Sequence, residues 1–149
     1  MTLSPGTYEI HSSKTHYATG TGAEDFVRAL PHGAGSVNQT WRVVLVEEED
    51  NVYNILPSLP VPPVAFAIIG GVRAGGPISL SMPPTQFYIT PKDENKHIYV
   101  ITPKGGPIGV KLVVVVEERD NVPTLVVDPF PIDRDVEDLP GWVFTEVDS

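Results

Sequence analysis

Short segments that begin with an aromatic residue recur along the chain at nearly constant spacing. Two interleaved sets of such segments begin at Tyr8, Tyr53 and Tyr99 and at Trp41, Phe87 and Trp142. Members of the first set are 45 and then 46 residues apart, and members of the second set are 46 and then 55 residues apart. Self-similarity at a fixed period of this length indicates that one structural unit is used repeatedly. Three copies of the unit predict a fold with pseudo-threefold symmetry and adjacent chain ends.

Runs of alternating or β-branched residues recur every eight to twelve residues, which is typical of an all-β protein. The predicted strands cover residues 7–11, 16–19, 26–30, 41–47, 52–56, 64–70, 78–82, 87–91, 97–102, 109–117, 124–130 and 142–147. No segment has the periodicity of an amphipathic helix, so we expect no helix of note. Twelve strands predict one β-trefoil domain over residues 1–149, with repeats at about 1–51, 52–96 and 97–149. A β-sandwich is the alternative, but it does not explain a threefold period.

The composition narrows the class of protein. The 149 residues suffice for one domain, which at this size buries roughly 68–70% of the unfolded chain's surface. No cysteine is present, which excludes disulfides and thiolate metal sites. The net charge of −9 argues against nucleic acid and anionic membranes as partners. The first residues lack the pattern of a secretory signal, so we expect no signal peptide, and we expect the protein to be a monomer.

Motifs that would indicate an enzyme are missing from the sequence. There is no nucleophile elbow, phosphate-binding loop, zinc-protease motif or dinucleotide fingerprint, so we predict a protein that is not an enzyme and has no cofactor. His11 and His16 have no carboxylate at a useful spacing, and we interpret them as strand-surface residues rather than metal ligands. The acidic residues in 47–50 and 117–120 are typical of solvated turns. An acidic connection over residues 129–141 accounts for the longer third repeat.

The triplet Gln39-Thr40-Trp41 points to the same fold. A Gln-x-Trp triplet recurs in trefoil lectins, where it packs the core, and Gln86-Phe87-Tyr88 is an approximate second copy. The third repeat keeps only Trp142. Because the triplet is a core element, it favours the trefoil without establishing sugar binding. A lectin would need an exposed aromatic residue beside Asp or Asn, for which Tyr17, and Trp142 with Asp138, are the candidates.

Arg28 stands alone among apolar residues, in the stretch Phe26-Val27-Arg28-Ala29-Leu30. In a regular strand it would share a face with Phe26 and Leu30, which is costly unless the guanidinium reaches solvent. In a convex exposed loop the same stretch places Arg28 at the apex. That second arrangement is typical of a substrate-like protease inhibitor, whose arginine enters an acidic pocket and whose rigid loop reduces the entropy cost of binding. From the residues alone, a surface arginine at a strand edge is the alternative.

Three segments resemble the fungal β-trefoil protease inhibitors: Ser4-Pro5-Gly6-Thr7-Tyr8-Glu9-Ile10, Gln39-Thr40-Trp41 and Gly141-Trp142-Val143-Phe144-Thr145. The likeness is nearest to the cospin-type serine protease inhibitors and more distant to the mycocypins, which inhibit cysteine proteases. It implies a cytoplasmic fruiting-body protein with a defensive role that inhibits trypsin-like serine proteases. In cospin-like inhibitors the reactive loop joins the second and third strands, here residues 20–31. The resemblance therefore implies that the bond between Arg28 and Ala29 is presented to the protease.

Other loops remain as alternatives. Arg73, followed by Ala74, is the second choice for protease binding, although the surrounding glycines predict a flexible loop. The loop that plant trefoil inhibitors use corresponds to residues 47–51, which offer no basic or apolar anchor. The mycocypin-like mode would use residues 12–15 and 32–38 against a papain-like cleft.

Overall fold

Six strands close into a barrel and six more form three hairpins in this computed structural model, which describes residues 3–22, 24–33, 38–47, 51–58 and 64–147. The strands are β1 (Gly6–Ser13), β2 (His16–Thr19), β3 (Arg28–Leu30), β4 (Trp41–Glu47), β5 (Val52–Pro57), β6 (Ala65–Ala67), β7 (Ser79–Ser81), β8 (Phe87–Asp93), β9 (Ile98–Pro103), β10 (Val110–Arg119), β11 (Val122–Pro131) and β12 (Trp142–Glu146). Two three-residue 3-10 helices cover Glu94–Lys96 and Val136–Asp138. Neither helix of the described ranges is long enough to cross a membrane.

The barrel strands follow the order β1-β12-β9-β8-β5-β4, and pairing of β4 with β1 closes the ring. The remaining strands pair as β2–β3, β6–β7 and β10–β11. The three hairpins also contact one another, through the β3–β11 pairing and through the bridges Phe26–Ser79 and Pro77–Val126. A six-stranded barrel with three joined hairpins is a β-trefoil, so the predicted fold class is confirmed.

The core contains the aromatic residues that revealed the repeat. Trp41 and Trp142 are 0% and 1% exposed. Their indole N–H groups donate to equivalent hairpin strands, to the carbonyl oxygen of Ala18 at 3.0 Å and to that of Val114 at 2.8 Å. Phe87 occupies the matching place in the second repeat. Burying each of these side chains stabilises the fold by about 2–3 kcal/mol, so the repeat marks the barrel wall and its contact with the hairpins.

The connection that lengthens the third repeat carries a small core of its own. Leu139, just after the second 3-10 helix, is 1% exposed and packs with Val100 and Val113. The Leu139 carbonyl oxygen accepts a hydrogen bond from Lys92 Nζ at 2.5 Å. Partly buried Val136 joins the cluster from the helix itself. The acidic connection is therefore folded onto the barrel.

Candidate functional site

Arg28, predicted to enter a trypsin-like protease, lies in strand β3. Its backbone is paired with Thr19 of β2 on one side and with Thr124 of β11 on the other. Its chain neighbours Val27 and Ala29 are 0% and 1% exposed. The interpretation of this stretch as a convex exposed loop is therefore wrong about its conformation, because the alternating apolar residues are buried in a doubly paired strand. Protease binding by Arg28 stays a prediction.

The Arg28 side chain is engaged within the molecule. Its Nη1 donates to Thr124 Oγ1 at 2.6 Å and lies 3.5 Å from the carbonyl oxygen of Arg119. Its guanidinium carbon lies 5.3 Å from the centroid of the Phe26 ring, a cation–π distance. Phe26 and Leu30, both half-buried, share its face of the strand. These contacts offset the cost of placing a guanidinium among apolar residues, and a protease would have to compete with them.

Arg73 and Ala74, the second choice, lie exposed in the connection between β6 and β7. The guanidinium folds back onto this connection, where Nη1 donates to the carbonyl oxygens of Ile69 at 2.7 Å and Gly71 at 3.1 Å. Both acceptors are backbone atoms of an exposed segment, so the arginine can exchange them for water or for a partner at little cost.

The same connection is held at its far end by contacts to β10 and β11. The Gly75 N–H donates to the Val127 carbonyl oxygen at 2.7 Å, and Arg119 Nη2 donates to the Gly75 carbonyl oxygen at 2.7 Å. A turn follows Arg73, whose carbonyl oxygen accepts from the Gly76 N–H at 3.1 Å. This glycine-containing loop is therefore anchored to β10 and β11 by hydrogen bonds.

Three neighbouring aromatic rings hold the start of the β3–β4 connection against the β1–β2 hairpin. Tyr17 of β2 stacks on His11 of β1 with ring centroids 4.4 Å apart and planes inclined by 22°. Its ring also meets His32, which follows β3, at 4.7 Å. His32 Nε2 lies 2.8 Å from Glu9 Oε2. We call His11, Tyr17 and His32 the histidine–tyrosine stack; it joins the β1–β2 hairpin to the start of the β3–β4 connection.

Gln39 fixes the start of the β3–β4 connection. Its side chain is 8% exposed and accepts from the Gly33 N–H at 2.8 Å. Its amide nitrogen donates to the Pro31 carbonyl oxygen at 2.9 Å and to Thr19 Oγ1 at 3.1 Å. The glutamine of the Gln-x-Trp triplet thus links this connection to β2 through hydrogen bonds.

The tips of the predicted binding loops are described in part. Lys14 and Thr15, at the turn after β1, are exposed. Residues 34–37 of the predicted loop 32–38 lie outside the described residues, as do residues 48–50 of the loop 47–51. Of the two predicted loops, the structure thus describes the exposed β1–β2 turn and the start of the β3–β4 connection, which Gln39 anchors.

His11 is half-buried within the stack, as Tyr17 is. Burial lowers the pKa of its imidazole, the Glu9 carboxylate opposes that change, and His32 adds to it. Its Nδ1 is buried and has no hydrogen-bond partner among the described residues. Burial therefore favours the neutral form of the His11 imidazole in its contact with Tyr17.

The sequence drew attention to His11 together with His16 and missed the stack. In the β1–β2 hairpin His11 lies opposite Tyr17, and Ser13 lies opposite His16, with an irregular register between the two pairs. Within the described ranges no group of three or more potential ligand residues could hold a metal ion. The hairpin register was the signal that could have placed His11 on Tyr17.

The positions considered for sugar binding do not form a binding platform. Trp142 is 1% exposed and its indole N–H is used in the core, so its face is closed to a sugar ring. Tyr17 is half-buried between two imidazoles. Asp138 is exposed in the second 3-10 helix. Trp142 therefore belongs to the core, Tyr17 to the histidine–tyrosine stack and Asp138 to the exposed surface.

Comparison with protein families gives a match along almost the whole described chain. The family model of the peptidase inhibitor clitocypin matches residues 6–144, from the start of β1 into β12. This family is of the mycocypin type, which the sequence motifs placed at a greater distance than the cospin-type inhibitors. No curated protein sequence matches significantly.

Solved structures with the same architecture include a lectin, an agglutinin and a toxin. The Macrolepiota procera ricin B-like lectin, solved in complex with lactose, is 17% identical, with a TM-score of 0.65 and coverage of 99% of this chain and 100% of the lectin. The Rhizoctonia solani agglutinin is 13% identical, with a TM-score of 0.70 and 99% of each chain covered. A mosquitocidal holotoxin is 14% identical, with a TM-score of 0.64, covering 97% of this chain and 17% of the toxin. At these identities the likeness shows the fold alone.

Proposed function

Because the chain belongs to the family of the peptidase inhibitor clitocypin, we propose that it inhibits papain-like cysteine peptidases through its β1–β2 and β3–β4 connections. The match over residues 6–144 carries this proposal. The resemblance to the mycocypins implies the same two connections, with a backbone that enters the peptidase cleft. Membership of an inhibitor family also supports the prediction that the chain is not an enzyme.

The contacts at the base of the two connections support this mode. Tyr17 and His32 contact each other in the histidine–tyrosine stack, and the Gln39 side chain accepts a hydrogen bond from the Gly33 N–H. A loop that is fixed before binding loses less conformational entropy when it enters a cleft. The exposed turn between β1 and β2 consists of two residues, Lys14 and Thr15. A turn this short is narrow enough to enter a groove that accepts an extended peptide.

Titration of papain with matched threonine variants tests the proposal. Thr15→Arg places a long cationic side chain at the β1–β2 turn, and Thr21→Arg makes the same change at another exposed threonine, between β2 and β3. We expect stoichiometric inhibition by the unmodified chain, an inhibition constant raised at least about tenfold by Thr15→Arg, and no change with Thr21→Arg. Absence of papain inhibition, or equal loss in both variants, would contradict the assignment.

A trypsin-like serine protease is the second candidate target, and the exposure of Arg73 and Ala74 favours it. An arginine that is open to solvent can enter an acidic specificity pocket without unfolding of the loop. Arg28, which the cospin-type resemblance implies, would need β3 to separate from β2 and β11 first. We therefore place Arg73 ahead of Arg28 for this activity.

The two arginines are separated by titrating trypsin with Arg28→Asn and Arg73→Asn variants. If the serine-protease mode operates through the exposed loop, Arg73→Asn abolishes inhibition and Arg28→Asn leaves it within about twofold. If Arg28→Asn abolishes inhibition and Arg73→Asn does not, Arg28 is the residue that binds trypsin, as the cospin-type resemblance implies. If the unmodified chain does not inhibit trypsin, the second candidate is wrong and the cysteine-peptidase proposal is unaffected.

A further inference from the structure

A cavity lies on the side of the barrel, beside the connection that lengthens the third repeat. It has a volume of about 460 Å³ and is bounded by β8 and β9, the β9–β10 connection, the start of β10 and the β11–β12 connection. This volume is within the range of cavities that hold small organic ligands. The described residues that line it do not include any of the β1–β2 or β3–β4 connection. The cavity is therefore separate from the loops of the proposed inhibition.

The longer connection supplies one wall of this cavity. The β11–β12 connection covers residues 132–141, whereas the corresponding β7–β8 connection of the second repeat covers only residues 82–86. Ile132, Val136 and Leu139 of the longer connection line the cavity. The acidic residues of this connection are exposed and do not line it: Asp133, Asp135, Glu137 and Asp138. The connection therefore turns apolar residues toward the cavity and keeps its charges in solvent.

The opposite wall is the outer face of the barrel. In the β8–β9 ladder Tyr88 lies opposite Thr102, and Thr90 lies opposite Val100. Val100 is buried because it packs with Leu139 of the connection. Tyr88, Thr90 and Thr102 are half-buried and line the cavity. This wall therefore adds three hydroxyl groups beside the region that the connection covers.

The surface that a ligand can touch in this cavity is mainly aliphatic. Ile132 is 57% exposed, and Pro107 at the β9–β10 connection is exposed as well. Val110 and Val136 are half-buried. Leu112, which is 5% exposed, lies deeper. An alkyl chain that covers the accessible part of these side chains is removed from water together with them, which favours binding.

Lys111 of β10 is the one charged residue among the described residues that line the cavity. Its Nζ donates to the Arg134 carbonyl oxygen at 3.2 Å. The ion pairs within the described ranges involve other side chains, so the Lys111 ammonium has no carboxylate partner there. Two of its three N–H donors remain for a ligand. In a chain with a net charge of −9, an ammonium without an ion pair at an aliphatic cavity indicates an anionic ligand group.

We propose that this cavity binds a small apolar monocarboxylate of the medium-chain fatty acid class. Its alkyl chain lies against Ile132, Val136 and Val110, and its carboxylate pairs with Lys111. One ammonium among aliphatic side chains selects a ligand with one negative charge, because a second carboxylate would lose water without gaining a partner. The exposed carboxylates of the connection repel an anion only weakly at physiological salt, where the Debye length is about 8 Å. This inference does not depend on the proposed peptidase inhibition.

Calorimetric titration at pH 7.5 and physiological salt tests the assignment with octanoate as the probe. Octylamine has the same alkyl chain with the opposite charge, and acetate has the carboxylate without the chain. We expect saturable binding of octanoate at least about tenfold tighter than that of octylamine, and no measurable binding of acetate. Octylamine is a demanding comparison, because a net charge of −9 attracts it to the protein as a whole. Octylamine binding as tight as that of octanoate, saturable acetate binding, or no octanoate binding would overturn the proposal.

Matched variants test whether octanoate occupies this cavity. Lys111→Gln removes the charge of the cavity, and Lys96→Gln removes an exposed charge outside it. Ile132→Ser shortens the aliphatic wall, and Ile108→Ser makes the same change at a fully exposed isoleucine outside the lining. We expect a loss of at least about fivefold in octanoate affinity for each cavity variant and less than about twofold for each control. An unchanged affinity in either cavity variant, or a loss as large in its control, would overturn the proposal.

Discussion

The tripeptide Val-Arg-Ala occurs twice in this chain, in opposite surroundings. In Val27-Arg28-Ala29 the valine and alanine are 0% and 1% exposed, and the arginine is bound to Thr124. In Val72-Arg73-Ala74 the arginine and alanine are exposed, and the guanidinium donates hydrogen bonds to carbonyl oxygens of its own loop. Identical local sequence therefore does not decide whether an arginine is offered to a partner.

The flanking residues account for the difference. Phe26 and Leu30 extend the first copy with apolar residues on either side, and an apolar run of this kind suits a strand with partners on both sides. Arg73 lies between Gly71 and Gly75, whose φ angles of +104° and +77° are ones that other residues rarely adopt. Positive φ angles end the ladder on either side of Arg73, so the chain leaves the sheet there and exposes the side chain.

The largest effect should come from placing a charge on the alanine of each copy. Ala29→Asp buries an unpaired carboxylate and should lower the free energy of unfolding by at least about 3 kcal/mol. Ala74→Asp adds a charge in solvent and should change it by less than about 0.5 kcal/mol. Urea denaturation of the two variants measures both values, and equal destabilisation would refute the contrast.

A smaller effect is expected from truncating each arginine. Arg28→Ala removes the hydrogen bond to Thr124 Oγ1 and the contact with Phe26, and should cost about 1–2 kcal/mol of unfolding free energy. Arg73→Ala removes only exposed contacts and should cost less than about 0.5 kcal/mol. Thermal unfolding at one pH compares the two. A loss in Arg73→Ala as large as that in Arg28→Ala would mean that the Arg73 loop depends on its side chain for stability.

The smallest effect concerns the acidic neighbours of Arg119, which contacts Arg28 of the first copy and Gly75, the residue after the second copy. Burial, followed by Glu117, raises the pKa of Asp128, and Arg119 opposes this. Between pH 3.8 and the raised pKa, Asp128 therefore binds more protons in the folded state than in the unfolded state. The free energy of unfolding falls as the pH rises through this window. Asp128→Asn should remove this part of the pH dependence in urea titrations. An unchanged profile would show that Asp128 is not its source.

The sequence was sufficient for the architecture because one local pattern occurred three times. The spacing of Tyr8, Tyr53 and Tyr99 predicted the trefoil, and the twelve strands of the described residues confirm it. Strand ends were less predictable. The strand predicted at residues 64–70 ends at Ala67, since the positive φ angles of Gly70 and Gly71 turn the chain away.

The candidate site depended on contacts between residues distant in sequence, which no local pattern shows. The partner of Arg28 is Thr124, 96 residues further along the chain, so its burial in a paired strand could not be seen from its neighbours. The meeting of Tyr17 and His32 depends in the same way on how β2 and β3 pair. The two loops of mycocypin type were named from a resemblance, and only the structure shows the stack that holds His32 of one loop against the β1–β2 hairpin.

Hydrogen–deuterium exchange of the chain with and without papain tests the central claim most directly, because it reports every loop in one experiment. The account predicts slower exchange at residues 12–17 and 31–40 in the complex, with no change at residues 68–77 or at Arg28. Protection of residues 68–77 or of β3 instead, or an unchanged pattern with papain in excess, would contradict it.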